Sequence, residues 1–107
     1  MTELPHSYEA EASVLGALML APESLPDVTL SGDDFFRNDH RLIFTAIKEL
    51  AEKGQPFDAV TIGEYFHGNE QVSIGYVIYL ASTTPSAANI DGYCSIVRDK
   101  SIRRQLI

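Results

Sequence analysis

A chain of 107 residues, 45% hydrophobic and 21% charged, is long enough to bury one core without disulfides or metal, and this usage excludes a disordered chain despite a net charge of −7. From Arg98 onward four basic residues stand against one acidic, a net of +3, which leaves −10 for residues 1–97 and excludes a broad phosphate-binding groove in the body. The lone Cys94 excludes an internal disulfide, and no apolar run reaches membrane-spanning length.

The first predicted element is a helix from a Ser7 cap through Leu20, with Val14, Leu15, Leu18 and Met19 at core spacing. Glu9 and Glu11 fall in or near its opening turns, where the helix dipole favours a carboxylate. They also replace the basic segment that a signal peptide would place before the run Val14 to Ala21, so a cytoplasmic protein is expected. Gly16 inside this helix costs stability, and a close approach by another element or a merely tolerated glycine would explain it equally well.

Pro22, Pro26 and Gly32 limit Glu23 to Leu30 to a short helical piece at most, after which Phe35 and Phe36 return the chain to the core. Asn38 is the expected cap of a strong helix, Asp39 to Lys53, with Ile43, Ala46, Ile47 and Leu50 inward and Gly54 as its stop. The stretch Thr61-Ile62-Gly63-Glu64 has capping-box spacing and predicts a short helix ending near Gly68. Val72 to Leu80 is rich in strand formers, yet Ile74, Val77, Ile78 and Ala81 have helical spacing; with no second strand to pair, helix is the expectation.

Pro85 drives Thr84 away from the α region and Asn89 offers a capping oxygen, so a last helix should start near Ile90. Ile90, Tyr93, Cys94, Val97, Ile102 and Leu106 suit one side of it, with Cys94 a buried structural thiol. No Gly, Pro or Asn closes it, so the chain is expected to end inside an element. The basic residues Arg98, Lys100, Arg103 and Arg104 read as a solvated helix face with cations near a C-terminal end.

Chemistry is sparse. A phosphate loop ending at Lys100-Ser101 would need glycines where Cys94 and Asp99 stand. His6, His40, His67 and Cys94 are too scattered for zinc, so no metal or cofactor is expected in this domain. Asp33, Asp34, Asp39 and His40 form the densest polar cluster, but a helix-entry turn explains the carboxylates and a hydrogen-bonded structural role explains His40; no catalytic residue is assigned.

The motifs nevertheless occur in a recognisable order. Leu4-Pro5-His6-Ser7 with Glu9-Ala10-Glu11 and Ser13 to Leu20, then Asp34-Phe35-Phe36 with His40 to Phe44, then Asp58 with Val60-Thr61, and finally Thr84 to Ile90 with Ile96-Val97-Arg98 together resemble the N-terminal domain of the DnaB-type replicative DNA helicases over essentially the whole chain. Pro26 and Thr29 stand where that family has a fuller second helix, and Ser73-Ile74-Gly75 where it often has paired glycines. Such departures suit a divergent bacterial or phage-encoded member.

The resemblance implies an all-α fold, a compact bundle of about five to six helices whose last helix leads into a truncated hairpin or linker. It implies a single domain over residues 1–107 that is not itself an enzyme, with the RecA-like motor that uses ATP and magnesium lying outside the chain. Implied partners are other helicase subunits, in dimer contacts within a hexameric ring, and primase, with a loader in some systems; direct nucleic-acid and membrane contacts are not implied. Glu9 and Tyr79 are candidates for partner contact, since tyrosine is enriched at interface centres and an acidic anchor complements a basic partner. The competing assignment buries Tyr79 and leaves Glu9 to the helix dipole. Tyr93, Val97 and Leu106 are candidates for subunit packing. The alternatives are the helicase-binding domain of a primase and a small helical hydrolase using Asp34, Asp39 and His40.

Overall fold

The computed structural model describes residues 3–107, and among them the chain forms five α-helices, three short 3-10 segments and no strand. Helix α1 spans Tyr8–Leu20 and starts as expected: Ser7 is extended and its Oγ accepts from the Ala10 amide at 3.2 Å. Val14, Leu15, Leu18 and Met19 are all buried, and the small Ala10 and Ala17 let neighbouring helices come near. Helix α4, Ile74–Thr83, crosses α1 at Gly16. A Cβ there would overlap the Thr84 hydroxyl and the Leu80 carbonyl oxygen, so this glycine is required by the crossing rather than merely tolerated.

Prolines confine the next segment to a 3-10 helix over Pro22–Asp27, and a second 3-10 turn, Gly32–Asp34, is closed by the Ser31 amide donating to Asp34 Oδ2 at 2.8 Å. Phe35 then enters the core against Phe44, with ring centroids 5.0 Å apart. Phe36 remains half-buried and stacks on the His6 ring.

Helix α2 spans Asn38–Glu52 and turns Ile43, Phe44, Ala46, Ile47 and Leu50 inward. Asn38 is not its cap: it is already helical, Arg37 holds the cap position, and no side chain of the cap bonds the helix. The far end closes as expected, since Gly54 at φ 68° lets its amide reach Ala51 O and the Gln55 amide reach Leu50 O. Helix α3, Ala59–Tyr65, starts before the expected capping box. Asp58 Oδ1 accepts from the Thr61 amide at 2.9 Å, so Thr61 receives the cap and does not provide it. The helix stops at Tyr65, and Gly68 at φ 78° belongs to the turn that follows.

The strand formers of residues 72–80 do lie mostly in a helix, α4, capped by Ser73 Oγ accepting from Tyr76 N at 3.1 Å. Helix α5, Ile90–Gln105, is entered through a 3-10 turn, Ala87–Asn89, and the Asn89 side chain makes no capping bond. Its inward line runs through Ile90, Val97 and Ser101, while Ile102 and Leu106 face outward, so the apolar side expected for its second half is replaced by a polar one. The core gathers α1 at its centre, with α2, α4 and α5 packed against it and α3 bridging α2 and α4.

Candidate functional site

The most unusual feature of the interior is polar. Glu11 is only 2% exposed and lies on the inward face of α1, three, four and seven residues before Val14, Leu15 and Leu18. Its Oε2 accepts from the Phe36 amide at 2.7 Å and its Oε1 from the Arg37 amide at 3.4 Å, so α1 holds across space the two amides that lead into α2, while inside the first turn of α2 the His40 amide donates to Asp39 Oδ1 at 2.9 Å. Fully buried His40 completes the carboxylate's set, with Nδ1 2.8 Å from Oε1. A carboxylate only accepts, which places the proton on Nδ1.

On its other side, His40 Nε2 lies 2.6 Å from the Tyr76 hydroxyl, itself 3.1 Å from the Tyr8 hydroxyl. Burial, then the bond with Tyr8, pushes the Tyr76 phenol far above its ordinary range, so it stays a hydroxyl. The Arg37 guanidinium closes the cluster from outside, 4.8 Å from the Tyr8 ring centroid and 5.5 Å from that of Tyr76. Asp39 holds it with bonds of 3.0 and 2.8 Å. Burial works to raise the Asp39 carboxyl, but the Arg37 bond and the neighbouring His40 outweigh it and hold it below its ordinary value. These contacts tie α1, α2 and α4 together.

They do not make a catalytic centre. A general base must reach a proton on a substrate, whereas His40 has no exposed surface and both ring nitrogens engaged. Two of the three carboxylates of the suspected cluster are engaged elsewhere: Asp39 with Arg37, and Asp34 with the Ser31 amide and the Ser101 hydroxyl. Among the described residues no group of three His, Cys, Asp or Glu side chains is disposed to hold a metal ion. Cys94 is half-buried in a cleft of about 250 Å³ with Asp27, Asp91 and Arg98. Burial, then the Asp91 charge, pushes its thiol up to about 11, so it stays protonated and is a poor nucleophile.

The candidate contact residues are distributed over two faces. Tyr79 is 51% exposed and stacks on Tyr76 with centroids 6.2 Å apart, which excludes the core position considered for it. It shares the outer face of α4 with exposed Ile78. Glu9 is exposed and lines a depression of about 230 Å³ together with Tyr93, Ser13, Pro85 and Ile96. Thus Glu9 and Tyr93 are brought together. Val97 is 1% exposed and packs inward, so it does not share an outer face with Leu106, which is 81% exposed.

The basic end of α5 is less solvated than its composition implies. Arg104 donates to Pro5 O at 2.8 Å and Asp34 O at 2.7 Å, and Arg98 donates to Thr29 O at 2.8 Å. Arg103 does follow the expectation of an exposed cation, paired with Asp99 one turn earlier. No helix among the described residues is long and apolar enough to cross a membrane.

A fold of this kind has close counterparts. The DnaB-like helicase N terminal domain family matches residues 3–99. The replicative DNA helicase DnaB of Buchnera aphidicola is 42% identical over 113 residues, covering 100% of this chain and 24% of its own length. That of Geobacillus stearothermophilus is 39% identical over 109 residues, covering 96% of this chain and 24% of its own length. This chain therefore spans about a quarter of the length of these curated relatives. The crystal structure of the N-terminal domain of DnaB helicase from Mycobacterium tuberculosis superposes with a TM-score of 0.90 at 35% identity, covering 97% of this chain and 79% of that one. A structure of a DnaB-like replicative helicase and its interactions with primase superposes with a TM-score of 0.84 at 26% identity, covering 92% of this chain and 25% of that one. By sequence over nearly its whole length and by the arrangement of its helices, the chain belongs to the DnaB-like helicase N-terminal domain family.

Proposed function

We propose that this domain is the non-catalytic head of a hexameric replicative DNA helicase, which pairs with other subunits in a collar and receives primase during DNA replication. The carrying observation is that the chain matches the DnaB-like helicase N terminal domain family and about a quarter of the length of whole helicases, and that one matching structure is described together with its interactions with primase. The matches are to helicases, which leaves the primase-module reading without support. On this proposal ATP and magnesium serve a motor domain outside the 107 residues, and the protein works in the cytoplasm of a bacterial or phage-infected cell, in some systems with a loader. The acidic body favours protein partners over direct contact with DNA.

Tyr79 and Glu9 are the proposed partner contacts: one is an exposed aromatic braced from below by Tyr76, the other an exposed acid at the start of α1. Tyr93 and Leu106 are left as the proposed subunit contacts. Titration with the C-terminal domain of the cognate primase, followed by amide spectra, should shift residues around Glu9 and Tyr79. The pair Glu9→Lys and Tyr79→Ala should weaken binding by roughly tenfold or more. Unchanged affinity with an intact helical spectrum would remove both residues from partner contact. An absence of shifts anywhere would leave subunit assembly as the domain's role.

A further inference from the structure

Away from the outer face of α4 and the depression at Glu9, a groove of about 390 Å³ runs between the end of α2 and α3, lined by Leu50, Gln55, Pro56, Thr61, Glu64 and Tyr65. Both walls are built rather than incidental. The Gln55 amide bonded back to Leu50 O fixes one, and the Tyr65 hydroxyl donating to the Glu49 carboxylate fixes the ring on the other. Val60 is 80% exposed and lies one helical turn before Glu64, so it extends the apolar surface of α3 beyond the groove.

The charge around this surface is one-sided. From Glu49 to Tyr65 the chain carries four acidic residues and one basic, Lys53, a net of −3. Neither Glu49 nor Glu64 belongs to an ion pair among the described residues. An apolar floor gains by leaving water, and carboxylates beside it that have no cationic partner gain most from cations that arrive with the apolar group. A nucleic acid would be repelled, and an acidic peptide likewise.

We propose that this groove is a second docking site, taking a segment of another protein in which a large apolar side chain is flanked by Lys or Arg. The site does not depend on the helicase assignment or on Glu9 and Tyr79. Its volume suits one or two anchoring side chains rather than a folded domain.

The test uses the whole chain and three synthetic peptides: a central Leu-Trp pair flanked by Lys and Arg, the same peptide with Glu at every basic position, and the basic peptide with Ser-Ser at its centre. The first should shift the amides of Leu50, Gln55, Thr61, Glu64 and Tyr65, and lose about tenfold in affinity at high salt. The other two should bind at least roughly tenfold more weakly. Tyr65→Ala should weaken the first peptide by a similar factor, and Glu64→Lys, on an exposed helix position where the fold tolerates it, should narrow or reverse the preference between basic and acidic flanks. Equal binding of the acidic peptide, shifts centred elsewhere, or no shifts would each overturn the proposal. Shifts of the same amides with protein concentration alone would overturn it in favour of a second copy of the chain as occupant.

Discussion

Helices α4 and α5 both pack along α1, but by different means. Helix α4 is held by contacts that tolerate almost no displacement: its backbone meets α1 at Gly16, and Tyr76 reaches the buried imidazole that Glu11 orients. Helix α5 is held by aliphatic burial of Ile90 and Val97, helped by Arg98 and Arg104, whose long side chains reach backbone carbonyls near the surface. Buried directional contacts fix a geometry because every alternative leaves a polar group without water or partner. Flexible arginines at the rim add attraction while leaving room for adjustment. The outer face of α4, with Ile78 and Tyr79, is thereby presented by the more rigidly held helix, which lowers the ordering cost of any partner bound there.

This contrast breaks first at Glu11. Glu11→Ala leaves the imidazole and two amides of the α2 entry without their acceptor, and should cost about 3–5 kcal/mol in urea unfolding. Glu11→Gln, which keeps an acceptor, should cost less. A loss from Glu11→Ala no greater than that from an arginine of α5 would collapse the distinction.

Gly16→Ala is next. The added methyl must displace the end of α4, at roughly 1–3 kcal/mol, and amide shifts should spread through Leu80 and Thr84 rather than stay on α1. Shifts confined to α1 would mean that the crossing is loose after all.

On the α5 side, Arg104→Ala removes two bonds to carbonyls that water can partly replace, and about 1 kcal/mol is expected. Arg103→Ala, which breaks an exposed pair with Asp99, should stay within roughly 0.5 kcal/mol and serves as the control.

The smallest effect is one of pH. Because the folded Asp39 carboxyl lies below its ordinary value of 3.8, its contribution is present above that value and is lost as pH falls from there through the lower folded-state value. Asp39→Asn should therefore lower stability at neutral pH and alter it little at the acid end, which flattens the acid limb of a stability profile. An unchanged acid limb would show that the Arg37 pair does not persist in solution.

Helix type and order were legible wherever apolar spacing was strong. The inward stripes of α1 and α2 come straight from their spacing, and even the strand-rich residues of α4 are helical because a lone strand has no partner for its backbone groups. The caps were less legible. Asn38, Thr61 and Asn89 are all good capping residues by type, yet Asp39 within the first turn of α2, Asp58 three residues before Thr61 and a 3-10 entry turn take their places. A cap needs one acceptor near the first amides, and several nearby side chains can supply it. The polar cluster carried a readable signal that residue type alone obscures: Glu11 and His40 each precede the apolar residues of their own helix by three, four and seven positions. Two polar residues on core stripes should face each other, since neither is stable there alone.

The sequence by itself determined the helical class, the order of the elements and the family, because periodicity and motif order are properties of neighbouring residues along one chain. Tertiary structure alone decided that Glu11 is buried, that Ile102 and Leu106 face outward behind Ser101 and Arg104, and that a groove opens between α2 and α3. Those facts depend on which helix lies opposite, and burial turns an ordinary surface glutamate into an acceptor that the fold must satisfy.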